Sequence, residues 1–270
     1  MKLPKYLILN KEVGETPLEV LDEFKRENVE YAAVPMAYAG RLDPLASGKL
    51  LVLVGHECQN QEKYRHLDKE YEVEIACGVS SDSGDLLGLV DFDPSFNKDS
   101  EKFMFGEFSK FAGKHAWKYP SFSSKTVEGL PLFQYALQGR LEEIEIPTKD
   151  IEIFEIELLG EETMDAETFV FNALKKVDSI KPVEQHQKAL GNDFRRDEIR
   201  KRYRQMQDDA PREIVIMKIR CICSSGTYMR TVAEKVGEEL GTKALAYSIH
   251  RTKIGTYKKF GPLKFWSRKY

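Results

Sequence analysis

Long apolar runs are absent from this sequence. Its most apolar stretch, Leu50–Val54, falls far short of the roughly 20 residues a membrane-spanning helix needs, which excludes a helical membrane anchor. The first fifteen residues have too short an apolar core for a secretory signal and no small-residue cleavage site. A cytoplasmic protein without membrane contact is expected. Cysteine is scarce: Cys58, Cys77, Cys221 and Cys223 form no Cys-x-x-Cys pair, so a disulfide framework or zinc ribbon is excluded and reduced, structural thiols are expected. The five histidines do not pair at ligand spacing, and no metal or cofactor is expected. The turn Ser80–Asp85 carries acids but lacks the pattern of a calcium loop. No Ser-His-Asp set supports a hydrolase.

Charge is segregated more than it is scarce. The net charge of −3 argues weakly against a polyanionic partner. Residues 141–168, however, hold eleven acids against one lysine, while residues 108–127 hold four lysines and no acid, among Phe108, Phe111, Trp117, Tyr119 and Phe122. Residues 249–270 repeat the theme with seven bases, five aromatics and no acid. Residues 195–204 carry six bases against two acids and read as a solvated face. Basic segments with interleaved aromatics suit nucleic acid, because bases stack on rings while phosphates meet lysines.

At 270 residues the chain can bury a sizeable core. Periodicity predicts strands at Tyr6–Leu9, Lys49–Val54, Glu70–Ala76, Leu87–Val90, Lys149–Leu159, Ile214–Ile222 and Leu245–Ile249. Helices are predicted at Leu18–Glu27, His56–Leu67, Glu101–Phe111, Leu132–Gln138 and Tyr228–Leu240. Residues 161–211 turn polar, with few strong apolar anchors, and read as a helical, charged insertion between two strands. Adjacent strand pairs dominate, so the expected class is α+β: a mixed, largely antiparallel sheet flanked by helices, in one domain spanning residues 1–270.

Three stretches carry chemistry. In Gly40–Gly48 (GRLDPLASG), Pro44 holds Asp43 in extended backbone at the edge of a buried strand, with glycines leaving room beside it. Such an acid suits a nucleophile or general base; it also suits an ordinary Asp-Pro turn. In Cys223–Arg230 a strand passes through small residues into a helix, with Arg230 in the first turn, placed either to bind an anion or to face solvent. Lys69-Glu70-Tyr71 opens a strand with a tyrosine that is either core or platform.

In this order, the stretches resemble the TruB family of tRNA pseudouridine synthases. Gly40–Gly55 resembles its catalytic motif, Lys69–Tyr71 with Ser81–Gly88 the second, and Pro120–Gly129 with Tyr135–Gly139 the third. Cys223–Gly241 resembles its arginine motif and Arg251–Gly255 its closing arginine and glycine. The resemblance implies a pseudouridine synthase-like catalytic domain, with Asp43 as catalytic aspartate, Tyr71 against the target uracil and Arg230 paired with Asp43. Lys69, Lys125 and Tyr38 would join them in binding substrate. It further implies isomerisation of a uridine in the T-loop of tRNA, by glycosidic cleavage and rejoining through carbon, without cofactor. RNA, tRNA first, is the expected partner of a monomer that needs no second protein. Another RNA such as rRNA, or an RNA-binding or RNA-folding role with dispensable catalysis, are the alternatives. The sequence departs from the family where Tyr38 replaces a histidine and where Lys11–Thr16 lacks a proline. Only fifteen residues follow Gly255, and no C-terminal RNA-binding domain is expected.

Overall fold

The computed structural model of the chain describes residues 3–99, 108–180, 195–206, 213–261 and 263–270. In chain order its strands are β1 (Tyr6–Lys11), β2 (Met36–Ala39), β3 (Ala46–Val54), β4 (Asp68–Cys77), β5 (Val79–Ser81), β6 (Val90–Phe92), β7 (Gly113–Lys118), β8 (Thr126–Val127), β9 (Leu130–Pro131), β10 (Thr148–Asp165), β11 (Glu213–Cys223), β12 (Ala244–Phe260) and β13 (Leu263–Lys269). Nine of them form one sheet in the order β1-β3-β12-β4-β11-β10-β7, with β2 added on β3 and β13 on β12. Its pairings are antiparallel except where β12 runs parallel to β3, Ile249 opposite Ala46 and Arg251 opposite Gly48. The α+β class with a largely antiparallel sheet is the one expected from sequence.

Because side chains alternate across a strand, β4 and β11 each feed two cores. Tyr71, Val73, Ile75 and Cys77 join Met217, Ile219 and Cys221 on one face, under Val232, Ala233, Val236 and Leu240 of the helix Met229–Leu240. Each of those apolar side chains contributes about 1.5–3 kcal/mol by leaving water. That helix stops at Gly241, whose φ of 74° closes it in the left-handed conformation. At the other end of the chain, Thr16 and Glu19 form a capping box and Pro17 opens the helix Pro17–Glu27.

On the opposite face, residues 161–211 are mainly helical between two strands as expected where they are described, 181–194 and 207–211 lying outside the described residues, but the expected lack of apolar anchors does not hold. Residues 161–165 extend β10, and the helices Ala166–Asp178 and Arg196–Met206 follow. They bury Phe169, Val170, Ala173, Val177, Ile199 and Tyr203 against Ala76, Ile216 and Leu245. The apolar anchors are present but spaced at helical intervals among charges, so they do not stand out in the sequence. Other boundaries also shift. Gly55–Arg65 is mainly a 3-10 turn with one short α-helix, Gln61–Arg65. β5 pairs with Val90–Phe92 rather than Leu87–Val90, because residues 82–89 bond to their own turn, Leu87 N–H to Asp85 and Leu89 N–H to Asp82. Most of the helix expected at Glu101–Phe111 lies outside the described residues; Phe108–Phe111 is a 3-10 turn. β12 runs well past Ile249 and returns as β13.

Candidate active site

The Asp43 turn is held by two fully buried cations. The Lys11 ammonium donates to the carbonyls of Glu12 at 3.0 Å, Pro44 at 3.1 Å and Ala46 at 2.6 Å. Burial lowers its pKa to about 8, against the opposing pull of Glu15 and Asp43. From the other side, Arg251 donates to the carbonyls of Lys49 at 2.7 Å and of Arg41 and Gly40 at 3.2 Å each. Gly48 makes this approach possible: with φ 103°, a Cβ there would lie 2.4 Å from the Arg251 carbonyl oxygen. Leaving these carbonyls would strand both buried cations without partners.

Arg230 enters from the first turn of its helix. Its Nε donates to Asp43 Oδ2 at 2.9 Å, Nη1 to the Ser83 carbonyl at 2.8 Å and Nη2 to the Phe122 carbonyl at 3.1 Å. Asp85 lies 3.7 Å from the same Nε. Only 4% of the Arg230 side chain is exposed, against 37% for Asp43. The cation is therefore a buried wall, and the carboxylate it aims faces outward. Burial alone would lower the Arg230 pKa, but Asp43 and Asp85 outweigh it and the pKa rises. Burial pushes the Asp85 carboxyl up, opposed by Arg230 and by the Ser83 hydroxyl, which donates to it at 2.7 Å. A carboxylate oriented at an open position and backed by a guanidinium can attack an electrophilic carbon or take a proton.

The remaining predicted residues divide. Tyr71 is buried beside Asp43 and Arg251, and burial pushes its hydroxyl up to about 12, so it stays neutral. Lys69 stands behind the turn. Its buried ammonium donates to the carbonyls of Arg65 and Leu67, and burial lowers its pKa to about 8. Tyr38 packs on the cluster of Val20, Leu21, Leu50 and Val52, so the structure gives that ring to the layer under the helix Pro17–Glu27 rather than to Asp43. Lys125 is exposed, its ammonium 5.5 Å from the centre of the Tyr119 ring. Tyr119 meets Tyr228 edge-on at 5.9 Å, and both line a cleft with Trp117, Lys118 and Lys149. The Arg230 guanidinium lies 5.8 Å from the Tyr228 ring, and burial with the Asp43 charge raises the Tyr228 pKa.

Three residues were not singled out for the site by sequence reasoning: Asp85, Lys11 and Tyr228. Arg251 entered the sequence reading only as the closing arginine of the family resemblance, and the structure places it behind the Asp43 turn. Asp85 left no signal, because its turn reads equally well as self-bonded. Among the described residues no group of three or more His, Cys, Asp or Glu side chains could hold a metal ion.

Residues 29–175 match the family described as TruB family pseudouridylate synthase (N terminal domain). The tRNA pseudouridine synthase B of Francisella tularensis subsp. novicida is 25% identical over 259 residues, covering 96% of this chain and 67% of its own. That of Parabacteroides distasonis is 25% identical over 252 residues, 92% of this chain and 85% of its own. Among solved structures, a chain from the crystal structure of a Cbf5-Nop10-Gar1 complex shares the fold, with a TM-score of 0.51 at 16% identity over 93% of this chain. This chain spans about half of it, 48%. With Asp43 and Arg230 joined as the family motifs imply, and a family match over more than half of its 270 residues, the chain belongs to the TruB family of pseudouridylate synthases.

Proposed function

We propose that the protein converts a uridine in the T-loop of tRNA to pseudouridine, with Asp43 as the catalytic carboxylate. The observation that carries this reading is the Asp43–Arg230 ion pair, closed on its protein side and open outward. The relatives named tRNA pseudouridine synthase B support tRNA as the substrate. The target uracil enters the open side of Asp43, near Tyr228 and the inner Tyr71, after leaving its stack. Asp43 attacks the ring or the sugar, or removes a sugar proton, and Arg230 holds its carboxylate in place through the Nε–H bond. Phosphates of the surrounding strand meet the exposed bases of the two basic-aromatic segments, Lys125 in the first and Lys258 and Lys259 in the second. The chain works without cofactor, in the cytoplasm, as a monomer.

The test is pseudouridine formation in unmodified tRNA by the wild type and by Asp43→Asn. Loss of roughly 10²–10⁴-fold in kcat is expected on removing an acid-base or nucleophilic group; equal turnover by the two proteins removes Asp43 from the mechanism. The departure at Tyr38 motivates a second target, ribosomal RNA. Mapping pseudouridine in total RNA with and without the protein separates the two, since a site confined to rRNA overturns the tRNA assignment.

A further inference from the structure

Arg230 binds carbonyls from two chain segments that do not otherwise belong together: Ser83, in the loop between β5 and β6, and Phe122, in the basic stretch after β7. A third segment ties those two from outside. Arg195 donates both terminal nitrogens to Asp82, Nη1 to Oδ2 at 2.9 Å and Nη2 to Oδ1 at 3.2 Å. Its guanidinium carbon also lies 4.6 Å from the centre of the Phe122 ring. Asp82 is the neighbour of Ser83, and Phe122 is itself the residue whose carbonyl Arg230 uses. One cation therefore spans both halves of the Arg230 cradle. Its backbone is held at φ 58°, a conformation side chains rarely adopt.

The helix that follows continues the contact along the same loop. Arg202 Nε donates to the Val90 carbonyl at 2.7 Å and Nη2 to Asp91 at 3.1 Å, and the buried Tyr203 hydroxyl to the Leu86 carbonyl at 3.3 Å. The loop in turn lies close against the Arg230 helix: a Cβ on Gly84 would meet Glu234 Oε1 at 2.7 Å and Arg230 Cβ at 3.2 Å. A guanidinium fork on a carboxylate, with its flat face on a ring, is a geometry lysine cannot reproduce.

We propose that Arg195 is a positioning residue for the Asp43–Arg230 pair. By clamping Asp82 to Phe122 it fixes the two carbonyls that orient the Arg230 guanidinium, and so the direction in which Asp43 points. Arg195, Arg202 and Tyr203, which bind the loop between β5 and β6, are on this view the outer wall of the active site.

The experiment compares Arg195→Ala and Arg195→Lys with Arg200→Ala, whose ion pairs to Asp178 and Asp197 lie away from the loop. Two readouts are taken on the full chain: steady-state pseudouridine formation, and the NMR resonance of the Arg230 Nε–H, assigned through its loss in Arg230→Lys. In Arg195→Ala, kcat falls roughly ten- to hundredfold, the scale of a misplaced catalytic group, with KM within about threefold. The Nε–H resonance shifts or broadens. Arg195→Lys recovers less than half of the loss, and Arg200→Ala leaves both readouts at wild-type values with a similar or larger change in Tm. A wild-type Nε–H resonance in Arg195→Ala overturns the proposal, as does a fall in activity matched by Arg200→Ala. The kinetic arm rests on the pseudouridine reading above, while the resonance arm does not. A wild type inactive on every RNA defeats that reading and leaves the clamp to be decided by the resonance.

Discussion

The Asp43 turn and the β12–β13 hairpin lie toward the same end of the sheet and handle positive charge in opposite ways. β12 passes Gly48 at Arg251 and the start of β4 at Gly255, then continues beyond the sheet to Phe260. At the turn, Lys11, Arg230 and Arg251 are buried, and each directs its donors to backbone carbonyls or to Asp43. On the hairpin, Lys258, Lys259, Phe260, Leu263 and Phe265 are exposed, and the rings of Phe260 and Phe265 stack at 6.4 Å. A buried cation loses its freedom and defines geometry; an exposed one keeps its freedom and can meet a flexible polyanion. The first arrangement suits chemistry, and the second suits contact with a polyanion.

Breaking the buried side gives the largest effects. Arg230→Met leaves Asp85 a buried carboxylate with its cation gone. Loss of one member of a buried pair costs about 3–5 kcal/mol, to be read as a fall in the urea midpoint at unchanged slope, together with loss of turnover. Arg251→Met is expected next, because it strips the carbonyls of Gly40, Arg41 and Lys49 of their donors. Unsatisfied buried groups cost about 1–3 kcal/mol each. If Arg251→Met unfolds no more easily than Lys258→Met, the contrast between the two regions fails.

Two glycines in the turn sharpen the same point. Gly48→Ala must push a Cβ into the Arg251 backbone as well as hold φ 103°, whereas at Gly40 the nearest atoms would be 3.7 Å away and only φ 87° is strained. A loss of about 2–4 kcal/mol is expected for Gly48→Ala and about 1 kcal/mol for Gly40→Ala, measured by denaturant unfolding of the two variants side by side.

How much of this the sequence carried depends on how local the cause is. The Asp43 turn, its strand, and Arg230 in the first turn of a helix were legible because proline, glycine and apolar runs act over a few residues. The partnership of Asp43 with Arg230 came from motif order and is met in the fold. Tyr38 shows the limit: a ring just ahead of Gly40 reads as a neighbour of Asp43, yet strand alternation sends it to the other layer with Met36. Lys69 shows another, since the family resemblance implied a substrate contact while its ammonium turns back to two carbonyls. The helices within residues 161–211 were legible but their anchors Phe169, Val177, Ile199 and Tyr203 were not, because a charged amphipathic helix buries its anchors only once a sheet face is there to receive them.

The buried lysines also set a pH signature. Lys11 and Lys69 have folded-state pKa values of about 8 against an ordinary 10.5. The unfolded chain then binds more protons between those limits, so the cost of burying both ammonium groups is present in full below pH 8 and is relieved as pH rises toward 10.5. Each contributes about 1.4 kcal/mol per pH unit inside that window. Tyr71, held neutral up to about 12, acts oppositely above pH 10, where the unfolded tyrosine ionises first. Stability followed by thermal melts should climb from about pH 8 to about pH 9, where the buried Cys77 thiol, pushed up to about 12, begins to oppose it, and Lys69→Met should flatten the climb.

The hairpin gives the smallest effect and the cleanest separation. Residues 249–270 carry no acid, and register places Lys258 opposite Phe265 and Phe260 opposite Leu263 on one outward face. Phe260 lies nine residues beyond Arg251, so at about 3.3 Å per residue the platform stands up to about 30 Å from the turn, too far to touch the reacting base. Stacking on an aromatic contributes about 1–3 kcal/mol per base. Phe260→Ala with Phe265→Ala should therefore weaken RNA binding roughly tenfold while kcat at saturating RNA and the unfolding midpoint stay put. Lys258→Ala should lower the slope of log affinity against log salt by about one, as loss of one phosphate contact requires. A hairpin variant that changed kcat with binding unaltered would place chemistry where the fold has left only exposed charge and rings, and the division of labour between the two regions would have to be abandoned.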